Sequence, residues 1–237
     1  EREDVVALPH AWMKDCLVLS GTGNLEQLSS FQEGLFYVQD PAAKLSVLCA
    51  KLPKEDIRVL DCCSAPGGKS FAAAIAMEGK GQITSCDVHA HKAGLIANGA
   101  ARLGFDNITA RQQDATINVP EWVDAMDVVI ADVPCSGLGI IRKKPDIRYK
   151  NLEEIKELPA LQLAILNNQA TYVKKGGVLV SDNILYKGMI ADDEHVIRRK
   201  ITIVKRLRRF ISAQMQRDEL ETVILPLGDG VTVAVKK

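Results

Sequence analysis

The stretch that decides the fold joins a strand-like segment to a helix-like segment and reads Val59-Leu-Asp-Cys-Cys-Ser-Ala-Pro-Gly-Gly-Lys-Ser70. It begins in a short apolar run, 57–61, and continues into an alanine-rich segment, 70–77. This pattern predicts a strand, a glycine-containing turn and a helix in direct succession. Glycine allows the backbone of such a turn to approach a ligand closely, and open α/β sheets bind ligands at the carboxyl ends of their strands. The stretch therefore predicts a ligand site at the end of the first strand of an α/β sheet.

The same alternation of strands and helices continues along the rest of the chain. The pair Gly176-Gly177 is predicted to cap a helix before the strand that starts at 178. Residues 1–50 are predicted to form an N-terminal extension, and 51–237 one α/β domain with a Rossmann-like, seven-stranded, mostly parallel sheet and a C-terminal antiparallel hairpin. Beyond the stretch above, strands are predicted over 82–87, 107–111, 127–132 and 178–181, helices over 89–103, 152–173 and 195–215, and the hairpin over 222–225 and 231–235.

Composition places few limits on function. The chain has 237 residues, of which 47% are hydrophobic, enough for one well-buried domain. Lys+Arg and Asp+Glu are equal at 30 each, so no overall basic excess indicates nucleic-acid binding, although a local patch would suffice. The six cysteines follow neither a disulfide framework nor zinc spacing, and we expect free thiols in a reducing cytosol. An apolar run of ~18 residues is absent, so we expect a cytoplasmic protein without a membrane span.

Acidic side chains stand at the predicted ends of consecutive strands. Asp87 ends the second strand, about 20 residues after the glycine turn, where a carboxylate can accept hydrogen bonds from both hydroxyls of a ribose. Asp114 follows the third strand and Asp132 ends the fourth. A crevice lined by these groups suits a cofactor with adenine, ribose and an ammonium group, and we predict S-adenosylmethionine (SAM). The absence of a GxGxxG pattern weakens the dinucleotide alternative, because SAM has no pyrophosphate to cradle; a plain loop is the alternative for the turn taken alone.

Two stretches resemble the hallmark motifs of the Sun/NOL1/NOP2 family of RNA cytosine-5 methyltransferases. They are Leu60 to Ser70 and Asp132-Val-Pro-Cys-Ser-Gly137, and the likeness extends over roughly residues 5–180. The resemblance implies a 16S ribosomal RNA-like substrate. It also implies that Asp87 binds the ribose of SAM, Asp114 the adenine edge and Asp132 the amino group. The methionine end of SAM would be held by the turn, through Cys63, Ser64, Ala65, Pro66, Gly67, Gly68 and Lys69.

The resemblance also points to the catalytic thiols. In this family a thiolate adds to C6 of cytosine, C5 then attacks the methyl group, and a base removes the C5 proton. One family cysteine, matched by Cys135, helps to release the product, while the nucleophile follows the fifth strand, where this chain has Ile184. The resemblance therefore predicts an impaired RNA methyltransferase. Two roles are open for Cys135: a substitute nucleophile, or an auxiliary thiol without its partner, which we favour.

The C-terminal part resembles a different family, the cation-dependent O-methyltransferases. The likeness rests on Val180-Ser-Asp-Asn-Ile-Leu-Tyr-Lys-Gly188 and Leu225-Pro-Leu-Gly-Asp-Gly230. It implies a Mg²⁺ bound by Asp132, Asp182 and Asn183, which would lower the pKa of a hydroxyl on a small substrate. A turn or helix N-cap is the alternative role for the Asp-Asn pair.

The two resemblances together predict a composite chain with a join near residue 180. Three functions stay open: an impaired RNA cytosine-5 methyltransferase, a Mg²⁺-dependent O-methyltransferase of a small hydroxylated molecule, and a SAM-binding composite without turnover. A basic loop with one tyrosine, 142–150, could bind RNA beside Asp132, and a solvated charged loop explains it equally well.

Overall fold

The protein is described from a computed structural model that covers most of the chain. The described residues are 5–13, 15–52, 57–134, 152–182, 184–185, 190 and 201–237. Within these ranges the strands are β1 (Val6–Pro9), β2 (Leu17–Ser20), β3 (Arg58–Asp61), β4 (Gln82–Asp87), β5 (Ile108–Gln112), β6 (Met126–Ala131), β7 (Val173–Asp182), β8 (Leu220–Leu225) and β9 (Val231–Lys236). The helices are α1 (Ser29–Gln32), α2 (Pro41–Leu48), α3 (Gly68–Ala76), α4 (Ala90–Leu103), α5 (Leu152–Tyr172) and α6 (Ile201–Met215).

The main sheet has seven strands in the order β5-β4-β3-β6-β7-β9-β8. Strands β3 to β7 pair in parallel, and β9 and β8 add the antiparallel hairpin. This topology confirms the predicted fold class. The chain builds outward from β3 through β4 to β5, then returns to place β6 on the other side of β3. Ligands of open α/β sheets bind at such a reversal, outside the carboxyl ends of the strands.

The central strands are buried on both faces, as their continuous apolar runs predict. Val59 packs in one apolar cluster and Leu60 in the other, and the same alternation holds for Val129 and Ile130 of β6. The cluster of Leu60 contains α5 and α6 residues such as Leu166, and the cluster of Val59 contains the alanines of α3 at 72–74. Burying an aliphatic side chain of this size contributes about 1.5–3 kcal/mol, so both helix layers hold the sheet rigid beneath its ligand-binding edge.

One local prediction was wrong. Gly176-Gly177 does not cap a helix, because α5 ends at Tyr172 and β7 begins directly afterwards. Met126 pairs with Val173 whereas Val128 pairs with Val178, so β7 carries extra residues opposite β6. Gly176 lies in this irregular segment with φ of 77°. The glycine pair lies in a bulge of β7, and this bulge arises from the pairing of β7 with β6.

Part of the predicted extension packs against the main domain. Val47 of α2 is fully buried in the same apolar cluster as Val59. Asp40 caps the N-terminus of α2, because its carboxylate accepts a hydrogen bond from the Ala42 N–H (2.9 Å). β1 and β2 form a separate two-stranded sheet. The division at residue 50 stays a prediction.

Two further observations concern the helices. The helix predicted over 195–215 is observed over Ile201–Met215, and 191–200 lie outside the described residues. In the part of the chain that the structure describes, every helix is too short or too polar to cross a membrane.

Candidate cofactor pocket and active site

The turn between β3 and α3 is held by its own backbone. The Ser64 N–H donates to the carbonyl oxygen of Cys86 (2.8 Å), which ties the turn to β4. The Gly67 N–H donates to the carbonyl oxygen of Ser64 (2.6 Å), and Gly67 has φ of 112°. A Cβ atom at this position would lie 2.5 Å from the ring of Phe71. Glycine is therefore required at 67 for two independent reasons, backbone conformation and packing.

A cavity of about 180 Å³ opens beside this turn. Asp61 and Gln39 line it together with most of the residues predicted to hold the methionine end of SAM. Those predicted residues are Cys63, Ser64, Ala65, Pro66, Gly68, Lys69 and Asp132. Gly67 is not among the lining residues and acts by shaping the turn. The fold thus brings together residues from the ends of β3 and β6, the two strands at the chain reversal.

Asp61 was given no role by the sequence, although it lies inside the deciding stretch at the end of β3. Its Oδ2 accepts a hydrogen bond from the Ser70 hydroxyl (2.8 Å), which in turn accepts one from the Ser85 hydroxyl (2.7 Å). Burial raises the pKa of Asp61 to about 7, against the opposing effects of Ser70 and Lys69. Its Oδ1 is buried without a hydrogen-bond partner among the described residues, as is the Ser64 hydroxyl.

These two unsatisfied groups fit the methionine end of SAM. A buried carboxylate oxygen requires a donor, which the ammonium group of SAM can supply, and a buried hydroxyl can donate to a ligand carboxylate. Both Asp61 and Ser64 line the cavity. The cavity is therefore chemically complementary to an amino acid moiety, and Asp61 joins Asp132 as a candidate acceptor for its amino group.

Lys69 links the ends of β6 and β7. Its Nζ lies 2.6 Å from Asp132 Oδ2 and 2.9 Å from Asp182 Oδ2. Because Ala131 pairs with Ser181, the two aspartates that follow stand side by side. The side chains of Lys69 and Asp182 are each 9% exposed, and that of Asp132 is 34% exposed. Burial alone would lower the pKa of Lys69, but the two carboxylates raise it above its usual value, so the ammonium form is held.

The described side chains do not fit a resident divalent metal at this point. A metal ion bridging Asp132 and Asp182 would have to displace the Lys69 ammonium from their Oδ2 atoms. Over the ranges that the structure covers, no group of three or more His, Cys, Asp or Glu side chains is arranged to hold a metal. Asn183, the third predicted ligand, lies outside the described residues. The magnesium site stays a prediction.

Asp87 and Asp114, which are predicted to bind the ribose and the adenine, lie at neighbouring strand ends but do not line the cavity. Asp87 ends β4, and its Oδ1 accepts a hydrogen bond from the His89 N–H (3.0 Å). Asp114 follows β5, and its Oδ1 accepts from both the N–H (2.8 Å) and the hydroxyl (2.7 Å) of Thr116. One oxygen of each carboxylate thus stabilises the local backbone.

The thiols near the cavity are poor nucleophiles. Burial and the neighbouring Asp61 raise the pKa of Cys63, which lines the cavity, and burial raises that of Cys86 to about 12. Both are therefore thiols rather than thiolates at neutral pH. Cys135 and the basic loop lie outside the described residues. Ile184 is 2% exposed and packs in the apolar cluster beneath the sheet edge, and its N–H donates to the Gly230 carbonyl oxygen (3.0 Å).

Comparisons with known proteins identify the family of the chain. Residues 48–210 match the model of the family described as 16S rRNA methyltransferase RsmB/F. The chain is 43% identical over 160 residues to the probable ribosomal RNA small subunit methyltransferase B of Bacillus subtilis, a match that covers 67% of this chain and 36% of that protein. The chain therefore corresponds to little more than a third of the length of that relative.

Two solved structures show the same fold. NSun6 from Pyrococcus horikoshii is 21% identical, with a TM-score of 0.66 and coverage of 88% of this chain and 54% of that one. The O-methyltransferase TomG from Streptomyces achromogenes, in complex with SAM, is 22% identical, with a TM-score of 0.54 and coverage of 85% and 82%. Fold, site and family model lead to one conclusion: the chain belongs to the 16S rRNA methyltransferase RsmB/F family of SAM-dependent methyltransferases.

Proposed function

We propose that the chain is the SAM-binding and catalytic part of an RNA cytosine-5 methyltransferase, and that its methyl transfer is impaired because Ile184 stands in place of the nucleophilic cysteine. The observation that carries the proposal is the cavity at the chain reversal, where Asp61 Oδ1 and the Ser64 hydroxyl are buried and find no hydrogen-bond partner among the described residues. The family and the name of the Bacillus subtilis relative support ribosomal RNA as the substrate.

Different residues of the site hold different parts of SAM, which supplies the methyl group when bound. Asp61 and Asp132 accept hydrogen bonds from the amino group, and Ser64 donates to the carboxylate. Asp87 accepts hydrogen bonds from the ribose through its Oδ2, because its Oδ1 is bonded to the His89 N–H. Asp114 likewise uses its Oδ1 for Thr116, so its Oδ2 is proposed to bind the adenine edge.

The chemical step on cytosine requires a thiolate, and position 184 does not supply one. The Ile184 side chain packs in the core and does not line the cavity. Cys135 is then the remaining candidate from the family motifs, either as a substitute nucleophile or as an auxiliary thiol without its partner. We favour the second role, so slow or absent turnover on RNA is expected.

The decisive experiment measures transfer of labelled methyl from SAM to ribosomal RNA in wild type and Ile184→Cys. Labelling of RNA is expected to rise in Ile184→Cys, because a thiol then stands where the family has its nucleophile. Ile184→Val is the matched control, since it also shortens the buried side chain but brings no thiol. A folded Ile184→Cys protein that gains nothing over Ile184→Val would count against the proposal.

Two alternatives predict different outcomes when the same assay also includes a catechol as substrate and EDTA. A Mg²⁺-dependent O-methyltransferase would label a catechol, lose that activity in EDTA and require Asp182 and Asn183. The Lys69 ammonium between Asp132 and Asp182 argues against this alternative. A composite without turnover would bind SAM and label neither substrate.

A composite origin with a join near 180 is compatible with the fold, because β7 pairs with β6 on one side and β9 on the other. The match to the family model nevertheless extends to residue 210.

A further inference from the structure

We propose that Gln39, in the segment before α2, donates a hydrogen bond from its side-chain amide to the carboxylate of SAM, and that Tyr37 is a positioning residue that orients this amide. The inference rests on the proposed function, because it requires SAM to occupy the cavity beside the turn after β3. It assigns part of the recognition of the cofactor to a segment outside the strand ends.

The position of Gln39 is the first step. Its side chain lines the cavity together with Ser64 and Gly68. The amide nitrogen Nε2 lies beside the first residue of α3, since a Cβ atom on Gly68 would be 3.5 Å from it. The next residue in the chain, Asp40, caps α2, so the backbone beside Gln39 is anchored. The amide is therefore held at the place where α3 begins.

Tyr37 decides which end of the amide is left for a ligand. The Tyr37 hydroxyl donates to Gln39 Oε1 (2.8 Å), and Nε2 makes no hydrogen bond to the described residues. The Tyr37 ring packs edge-to-face on Phe71 of α3, with 5.7 Å between the ring centroids. Burial raises the pKa of Tyr37, so the hydroxyl keeps its proton and remains a donor. Since an amide NH₂ can only donate, Nε2 suits an acceptor such as a carboxylate.

The groups around Nε2 favour an anion. Helix α3 (Gly68–Ala76) has no side-chain cap, and the first N–H groups and the dipole of a helix stabilise a negative charge at its N-terminus. The Ser64 hydroxyl is an independent indication, because it is buried in the same cavity and has no partner among the described residues. Lys69, the one cation among the described lining residues, is shared by Asp132 and Asp182. Neutral donors such as the Gln39 amide are therefore needed for a ligand carboxylate.

Helix α4 holds the segment that carries Tyr37 and Gln39. The Arg102 guanidinium donates to the carbonyl oxygens of Phe31 and Phe36 (3.1 Å to Phe36). It also lies 3.9 Å from the centre of the Phe31 ring. The Gln39 amide is thus placed by contacts within the protein, and binding of SAM need not order it.

The test compares SAM with decarboxylated SAM, which keeps the amino group and lacks only the carboxylate. Isothermal titration calorimetry gives the Kd of both ligands. Gln39→Met is expected to weaken SAM binding about tenfold and to leave the Kd of decarboxylated SAM unchanged. Gln39→Glu, which has the same size, should weaken SAM binding further by repulsion between carboxylates and should not weaken binding of decarboxylated SAM. Tyr37→Phe should weaken SAM binding about threefold, again without an effect on decarboxylated SAM.

Gln32→Met is the matched control. Gln32 is an exposed glutamine of the same segment whose Nε2 donates to the carbonyl oxygen of Glu26, and it does not line the cavity. This substitution should leave both Kd values unchanged.

The two ligands separate failure of the inference from failure of the proposed function. If wild type binds SAM but Gln39→Met and Gln39→Glu weaken both ligands equally, Gln39 only shapes the cavity and the inference is wrong. Unchanged Kd values in both variants, or equal affinity of wild type for the two ligands, would also overturn it. If wild type binds no SAM, the proposed function fails first, and the inference fails with it. Because Gln39→Glu is isosteric, the comparison stays decisive if Gln39→Met does not fold.

Discussion

The turn after β3 and the ends of β6 and β7 meet at one cavity but satisfy their polar groups in opposite ways. The turn is held by backbone hydrogen bonds, and within the described ranges Asp61 Oδ1 and the Ser64 hydroxyl have no hydrogen-bond partner. At the ends of β6 and β7, by contrast, Asp132 and Asp182 share the Lys69 ammonium. The first region is thus prepared for a ligand, whereas the second already contains its counterion. An acid at a strand end can therefore serve a ligand, an ion pair within the protein, or both, and tertiary packing decides which.

The largest expected effect comes from breaking the second region. At pH 8, Lys69→Met should lower the free energy of unfolding by about 3–5 kcal/mol, because the nearly buried Asp182 and the partly exposed Asp132 lose the ammonium that they share. Denaturant unfolding measures this change. Lys174→Met removes a lysine that is 47% exposed and paired with Asp127, and should cost less than about 1 kcal/mol. Equal losses in the two variants would mean that the Lys69 cluster is no different from a surface ion pair.

Asp61 sharpens the comparison through pH. Its pKa is raised from the usual 3.8 to about 7 in the folded protein, so the folded state holds a proton that the unfolded chain releases. The stability from this group is present below pH 4 and is lost as pH rises to 7, at most about 4 kcal/mol. Asp61→Asn should flatten this decline in urea unfolding between pH 4 and 8. Asp124→Asn, at a side chain that is 64% exposed, serves as the control and should keep the wild-type slope.

Gly67 tests whether the turn is a rigid, preformed half of the site. Gly67→Ala should lower the free energy of unfolding by about 2 kcal/mol and weaken SAM binding, since both φ and the Phe71 ring oppose a Cβ. Gly79→Ala is the matched control: it has φ of 72° but open space around its Cβ, so strain acts alone. If both substitutions cost the same, packing against Phe71 does not hold the turn.

The smallest expected effect concerns Asp87. Asp87→Ala should weaken SAM binding by about 1.5 kcal/mol, roughly tenfold in Kd, through loss of hydrogen bonds to the ribose. Calorimetric titration with SAM measures it. Asp106→Ala changes an aspartate just before β5, at the opposite edge of the sheet, and should leave Kd unchanged. An unchanged Kd in Asp87→Ala would remove this residue from the cofactor site.

Local patterns explain why so much of the sheet could be predicted. Apolar runs such as 127–132 and the turn at 65–68 are decided by neighbouring residues. The observed strands of the main sheet begin and end within two residues of the predicted bounds, except that β7 begins five residues earlier than predicted. The strand-end position of Asp87 and Asp132 follows from the same patterns. Gly176 shows where local patterns fail. A glycine after a helix favours a helix cap, but here pairing with β6 places it in a bulge of β7.

The sequence by itself determined the α/β fold, the turn after β3 and most of the residues that line the cavity beside it, because helices, strands and glycine turns depend on contacts between near neighbours. Only the tertiary structure decided which charges would meet. Lys69 and Asp132 are 63 residues apart, and no local signal pairs them. Burial likewise placed Ile184 in the core and raised the pKa of Asp61, since both depend on the layers that pack around the finished sheet.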